Sequence, residues 1–314
     1  MSHSALAEWL TDRIQSDRNH PGRLWTVVRF AIMKTHDMLS RRSFLAITAT
    51  APLWASLAAA KENIPVGLEL YSVRGELAKD LMGTVRGVAK MGYQCMEFYA
   101  PYYQWTLDYA KEVRKELDSL GVRCYSTHNG VEALKPEGIN KAIELSQAIG
   151  SRYIVLAHPG EDIKDEDGWK RIADLLNHAN QTMNRQGLHA GYHNHDAEWR
   201  PVGGKRPMEI LAANTEKSVM LQLDVGTCLA AGSDPVAWVE ANPGRIHSMH
   251  CKEWSPQKGY KVLFGEGVTQ WTKLFAAAES TGGIEFYLIE QEGSDYPEME
   301  TAERCLAAFR KMHG

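Results

Sequence analysis

Cysteine is scarce and unpatterned: Cys95, Cys124, Cys228, Cys251 and Cys305 are the five in 314 residues, and no two form a CxxC pair. That argues against a disulfide-stapled fold and against a structural zinc knuckle. An excess of charge of one sign is also missing. Lys and Arg number 35 against 39 Asp and Glu, a formal net charge of −4. Without a basic excess or stripe, a nucleic-acid scaffold is disfavoured. No glycine-rich phosphate loop follows the first strand-like segment, which leads instead into Tyr71-Ser72-Val73-Arg74. What remains, at 44% hydrophobic with 26 Gly and 12 Pro, is ordinary globular composition, neither collagen-like nor disordered nor coiled-coil.

One segment is set aside before the fold. Ser40-Arg41-Arg42-Ser43-Phe44-Leu45 puts an arginine pair directly before an uncharged run that ends in Ala58-Ala59-Ala60, and polar chain resumes at Lys61-Glu62-Asn63. A charged start, an apolar middle and a small-residue cleavage site make a secretory signal, and the twin arginine with Phe and Leu resembles a bacterial Tat signal. A buried core helix is the rival reading, and Pro52 inside the run disfavours it. An uncleaved anchor fits less well, because the run is barely long enough to span a bilayer and is rich in Ala, Thr and Ser. No cysteine follows it to carry a lipid. Met38 would place the arginine pair where a signal needs it. Residues 1–37 are therefore expected to be an upstream extension outside the fold, residues 38–60 a Tat-type signal peptide, and residues 61–314 the mature chain. The expected address is the periplasm, with no stable membrane anchor after cleavage.

Within residues 61–314, short β-branched apolar runs alternate with amphipathic stretches, the mark of βα units. Strands are expected at Val66–Tyr71, Gln94–Phe98, Arg123–Ser126, Tyr153–Ala157, His189–His193, Met220–Asp224, Ile246–His250 and Phe286–Glu290. Helices are expected at Leu81–Met91, Thr106–Leu120, Ile139–Ile149, Gly168–Gln186, Val268–Ser280 and Thr301–Met312. Gly92, Gly121, Gly150 and Gly187 each stand just past a helix, where a left-handed cap belongs. Eight strands in about 250 residues predict the α/β class and a single (β/α)8 barrel of the TIM type.

In such a barrel the chemistry gathers where the strands end. The strand ends here carry Glu69, Arg74, Glu97, His128, His158, His193, His195, Asp224, His250, Lys252 and Glu290. His193 and His195 flank Asn194, so period two puts both imidazoles on one side of their strand. The last four strands end in Tyr-His-Asn-His, Leu-Asp, His-Cys-Lys-Glu and Glu-Gln-Glu. One ligand from each, His193, Asp224, His250 and Glu290, can converge near the barrel axis. Imidazole with carboxylates suits Mn²⁺, Zn²⁺, Fe²⁺ or Co²⁺ better than Ca²⁺. Lys252 could pair with a substrate oxyanion. Trp254, like Trp105 and Trp199, follows a strand end where an aromatic face could stack on a sugar ring.

These motifs, together with Gly67-Leu68-Glu69-Leu70-Tyr71-Ser72-Val73-Arg74 and Gly265-Glu266-Gly267, resemble the xylose-isomerase-like barrels, the sugar (phosphate) isomerases and epimerases. The resemblance runs over residues 64–314. It implies a divalent metal, Mn²⁺ first with Zn²⁺, Co²⁺, Fe²⁺ or Mg²⁺ as alternatives, held by Glu, Asp, His and Glu on strands five to eight. Asp224, His250 and Glu290 match three of those places, and His193 stands where the strand-five Glu would be. That exchange puts symmetric two-base epimerisation in doubt.

The expected reaction is proton abstraction beside a carbonyl, with the metal as Lewis acid. Glu290 is the expected base, a role worth roughly 10²–10⁴-fold; His193 and Lys252 are the other catalytic candidates. Glu69, Arg74, Glu97, His128, His158, His195 and Trp254 are the candidate substrate contacts. Free sugars and oxidised glycosides occur in the periplasm, so an unphosphorylated sugar or keto-sugar is the expected small-molecule partner. A metal-dependent lyase or hydratase acting on 3-keto-glycosides or inosose-like substrates shares the same site, and a non-catalytic carbohydrate-binding barrel is the third reading. No nucleic-acid partner is expected, and a homo-oligomer is left open.

Overall fold

The computed structural model describes residues 64–160 and 163–313. The expected extension and signal segment, residues 1–60, lie outside the described residues. Eight strands alternate with helices: β1 (Val66–Glu69), β2 (Cys95–Glu97), β3 (Ser126–Gly130), β4 (Tyr153–His158), β5 (His189–His193), β6 (Met220–Asp224), β7 (Ser248–Cys251) and β8 (Phe286–Ile289). Every ladder is parallel, in the order β2-β1-β8-β7-β6-β5-β4-β3. Single bridges Cys95↔Arg123 and Phe98↔Thr127 join β2 to β3, and the His128 N–H donates to the Phe98 carbonyl at 2.8 Å. The ring of strands is thereby closed, the (β/α)8 arrangement expected.

The outer layer is built from α1 (Arg74–Lys79), α2 (Leu81–Met91), α3 (Leu107–Ser119), α4 (Ile139–Ile149), α5 (Glu166–Asn184), α6 (Pro207–Asn214), α7 (Val225–Ala230), α8 (Pro235–Ala241), α9 (Trp271–Ala277) and α10 (Glu298–His313). Among the described residues no helix is long and apolar enough to cross a membrane. The four glycine caps all have positive φ, between 69° and 100°. Gly150 shows why glycine is needed: its φ is 87°, and a Cβ there would strike the Arg114 guanidinium that hydrogen-bonds the Ile149 carbonyl. Helices α1, α6, α7 and α8 are absent from the sequence reading because each is short. Two of them start at proline, which serves at the first helical position but obscures an apolar period.

Inside the barrel the even strands supply the bulk: Cys95, Tyr153, Val155, Met220, Phe286 and Leu288 form one buried cluster. The odd strands are small at the same level, with Gly67, Gly191 and Ser248 on their inward faces. A Cβ on Gly191 would meet Met220 at 3.0 Å and Val155 at 3.2 Å, so the tight ring leaves no room for a side chain there. One expected strand sits elsewhere. Ser126–Gly130 forms β3, whereas Arg123 makes only a bridge to β2. The sequence Ser-Thr-His-Asn-Gly reads as loop because its inward face carries His128 while Thr127 and Asn129 bond to the Tyr102 hydroxyl.

Candidate active site

Two residues beyond the packed interior of each strand, the inward column turns polar. Gly67 is followed by Glu69, Cys95 by Glu97, Gly191 by His193, Gln222 by Asp224, Ser248 by His250 and Leu288 by Glu290, all by the period of two. Glu69, Glu97, His128, His193, Asp224, His250 and Glu290 are all buried, none more than 8% exposed. Seven buried titratable groups at one end of a barrel cost free energy unless they pair with one another or with a cation.

The pairing is dense. His250 lies between two carboxylates, with Nδ1 2.7 Å from Glu290 Oε2 and Nε2 2.7 Å from Glu97 Oε2. Burial alone would lower its pKa, but Glu97 and Glu290 hold it up at about 10. Burial works against the Glu97 charge as well, yet His128 and His250 draw that carboxyl down to about 2. Lys252 Nζ stands 3.5 Å from Asp224 Oδ2 and 3.4 Å from Glu290 Oε1, and it also bonds Glu292. Against its own desolvation, Asp224, Glu290 and Glu292 keep this amine well above the ordinary lysine range. His193, by contrast, is pushed well down by burial and by the neighbouring His250 and His128, which makes it a neutral imidazole. Burial together with Glu97 and Glu290 pushes the Glu69 carboxyl well up.

Ligating atoms of His193, Asp224, His250 and Glu290 all lie within 4.8 Å of one another. Asp224 accepts from the Thr227 N–H through Oδ1 at 2.9 Å, while its buried Oδ2 accepts no hydrogen bond. A desolvated carboxylate oxygen with no hydrogen bond, 3.5 Å from Lys252 Nζ and facing two imidazoles and a second carboxylate, fits a divalent cation of the borderline type. The residues present therefore fit such an ion, although Lys252 already supplies one positive charge to Asp224 and Glu290.

A cavity of about 380 Å³ opens onto this cluster. Its described lining includes Glu69, His128, His158, His193 and Glu290 from the strand ends, His195 on the loop after β5, and the rings of Tyr71 and Tyr99. Hollows of similar size beside Thr269, Gln270 and Lys273 lie on the outer helix layer and adjoin none of these side chains.

A model of the family described as xylose isomerase-like TIM barrel matches residues 85–312, most of the described chain. The chain belongs to the xylose isomerase-like TIM barrel family. L-ribulose-5-phosphate 3-epimerase UlaE of Salmonella paratyphi C is 28% identical over 229 residues, covering 63% of this chain and 76% of that protein. A sugar phosphate isomerase/epimerase from Parabacteroides distasonis has a crystal structure with a TM-score of 0.68 and 25% identity, over 79% of this chain and 94% of that one. The IOLI protein, solved with a zinc atom, superposes with a TM-score of 0.63 at 14% identity, over 80% of this chain and 98% of that one. This member of the xylose isomerase-like family is an isomerase/epimerase-like enzyme.

Several expected contacts take other places in this xylose isomerase-like barrel. Glu97 is fully buried and faces His250, His128 and Gln222, not the cavity. Lys252 is 1% exposed and committed to three carboxylates, so no free amine is left for a substrate oxyanion. Arg74 donates to the Tyr71 carbonyl at 2.9 Å and the Glu292 carbonyl at 3.2 Å, so it braces the rim and does not line the cavity. Trp254 is half-buried and also off the lining; its backbone N–H donates to Glu253, the carboxylate that gathers the loop after β7.

Gln222 was missed. Its side-chain oxygen meets His128 Nε2 at 2.7 Å and His193 Nδ1 at 3.1 Å, while its amide nitrogen donates to Glu97 at 3.0 Å and Ser248 at 3.1 Å. The available signal was a lone amide in an apolar strand, two residues before Asp224 and hence on the same face. Glu292, the third partner of Lys252, was visible only as part of the Glu-Gln-Glu motif.

Proposed function

We propose that the chain is a divalent-cation-dependent isomerase or epimerase acting on an unphosphorylated sugar or keto-sugar by proton transfer at a carbon beside a carbonyl. The observation that carries this reading is the meeting of His193, Asp224, His250 and Glu290 within 4.8 Å, next to a cavity of about 380 Å³. A cation held by these four residues supplies Lewis acidity to the negative charge that develops on the sugar oxygens. Glu290 faces the cavity as the proton-accepting carboxylate. Burial would raise its pKa, but Lys252 and His250 hold it below the usual carboxylate range, so it is ionised at neutral pH. His128, His158 and His195 line the cavity as hydrogen-bonding groups for sugar hydroxyls.

The absence of phosphate from the substrate is supported by the lining. Three glutamates, Glu69, Glu290 and Glu292, and no Lys or Arg stand among the described lining residues. A phosphate dianion there would meet carboxylates without a compensating cation. The Tat-type signal expected at residues 38–60 supports the same choice, since a periplasmic address would bring the protein free sugars.

A second reading, a lyase or hydratase acting on keto-glycosides, is favoured by one observation. The strand-five position holds an imidazole already bonded to Gln222, and of the two other glutamates in the lining Glu292 is paired with Lys252, which leaves Glu69 as the second carboxyl beside Glu290. An ionised base next to a carboxyl driven towards its protonated form suits elimination as well as isomerisation.

Product analysis by ¹³C NMR tests both. Purified protein with Mn²⁺ is given a free ketose, the 5-phosphate of the same ketose, and a 3-keto-glycoside. Isomer or epimer from the free ketose supports the first reading, and release of the aglycone supports the second. Turnover confined to the phosphate ester would overturn the unphosphorylated assignment.

A further inference from the structure

We infer that Glu97, acting through Gln222, is the positioning residue that sets which ring nitrogen of His193 is offered to the ligand cluster. The inference rests on the cation-centred reading above. Glu97 sits on β2, outside the four candidate ligands, and its two oxygens have separate duties. Oε2 takes the His250 Nε2–H at 2.7 Å, and Oε1 takes the Gln222 Nε2–H at 3.0 Å. A carboxylate only accepts, so the amino end of the Gln222 amide must face Glu97. The second amino hydrogen goes to Ser248 Oγ at 3.1 Å, which holds the amide against rotation.

The Gln222 carbonyl oxygen is thereby turned towards His193 Nδ1 at 3.1 Å and His128 Nε2 at 2.7 Å. A carbonyl oxygen also only accepts, so the His193 proton must be on Nδ1. Its Nε2 is left bare, 3.9 Å from Asp224 Oδ2. His250 faces a carboxylate through each ring nitrogen, Glu97 at Nε2 and Glu290 at Nδ1, both at 2.7 Å, so it donates from both. One buried carboxylate thus determines, through an amide, the nitrogen that His193 offers. A strand-five carboxylate would need no such device, because either of its oxygens can serve. Partners of this kind are worth about 10–100-fold in metal affinity where the imidazole is a ligand.

The test reads tautomers first, on metal-free protein. Long-range ¹⁵N–¹H correlation on ¹⁵N-labelled wild type at neutral pH, with His193 assigned by loss of its signals in His193→Gln, should show His193 protonated at Nδ1 alone. Protonation of His193 at Nε2 alone would overturn the inference with no variant involved. Gln222→Met keeps the length of the side chain and removes the acceptor. It should give a mixed His193 tautomer and a 10–100-fold weaker Mn²⁺ affinity by isothermal titration. Unchanged Mn²⁺ affinity in Gln222→Met, beside a wild type that binds, would also overturn it. If the wild type takes up no Mn²⁺ at all, the cation-centred function fails, while the tautomer measurement still decides the positioning claim.

Discussion

Nε2 of His250 meets Oε2 of Glu97 at 2.7 Å although 153 residues separate them in the chain. Both side chains are fully buried, and the contact bridges β7 to β2 across the barrel mouth. It makes Glu97 part of the support for the site, because the same carboxylate also orients Gln222.

Glu97→Ala should therefore cost stability as well as function. Removing one partner of a buried, hydrogen-bonded ion pair leaves the other charge uncompensated, at a cost of about 3–5 kcal/mol. Chemical denaturation of wild type and variant measures the difference. A loss below about 1 kcal/mol would mean that the barrel mouth relaxes to solvate His250.

Glu290→Gln separates chemistry from folding. The substitution keeps shape and removes the basic oxygen, so turnover should fall by roughly 10²–10⁴-fold, the worth of a positioned general base. Far-ultraviolet circular dichroism should be unchanged. Retained turnover would remove Glu290 from the role of base.

Lys252→Met tests the electrostatics of the cluster without cation ligands being altered. Lys252 lies among Asp224, Glu290 and Glu292, and losing its charge leaves those carboxylates to repel one another. The melting temperature should fall in chelator and recover substantially when Mn²⁺ is added, since a bound cation stabilises the folded state by mass action. Equal losses with and without Mn²⁺ would show that the ion does not share that charge.

The opposite end of the barrel has its own pH dependence. Glu285 bonds Arg152 at 2.5 Å and the Tyr153 hydroxyl at 2.8 Å, and lies 3.1 Å from His247. Burial would raise its carboxyl, but His247, Tyr153 and Arg152 bring it down to about 2. A folded pKa below the unfolded value stabilises the protein at pH above the unfolded pKa, and the benefit is lost as pH falls from about 4.5 towards 2. With the side chain 32% exposed, solvent screening keeps the effect to about 1 kcal/mol. Glu285→Gln should flatten the stability profile over that acidic interval; an unchanged slope there would contradict the pairing.

How much of this was legible in the sequence depends on where a residue's partners come from. Asp224, His250 and Glu290 stand out because each ends an apolar strand, and His193 stands out by its place in Tyr-His-Asn-His; all four lie together in the barrel mouth. The register of β3 was not legible, because a strand whose inward face carries His128 and whose other face bonds a tyrosine has no apolar alternation to read. Lys252 and Glu97 were placed at the right strand ends but given the wrong neighbours. Strand position says that a side chain points inward; it does not say whether it meets substrate or a carboxylate from across the ring. Gln222 shows the same limit, since its four contacts reach β2, β3, β5 and β7.

The central claim is that this barrel moves a proton at a sugar carbon with a divalent ion held by His193, Asp224, His250 and Glu290. Proton NMR in D₂O, following exchange at carbons next to the carbonyl of free ketoses and keto-glycosides, measures that step directly. Deuterium should enter at one such carbon with Mn²⁺ present, stop on addition of chelator, and stop in Glu290→Gln. Exchange that persists in chelator, or no exchange into any of these compounds with Mn²⁺ bound, would contradict the account.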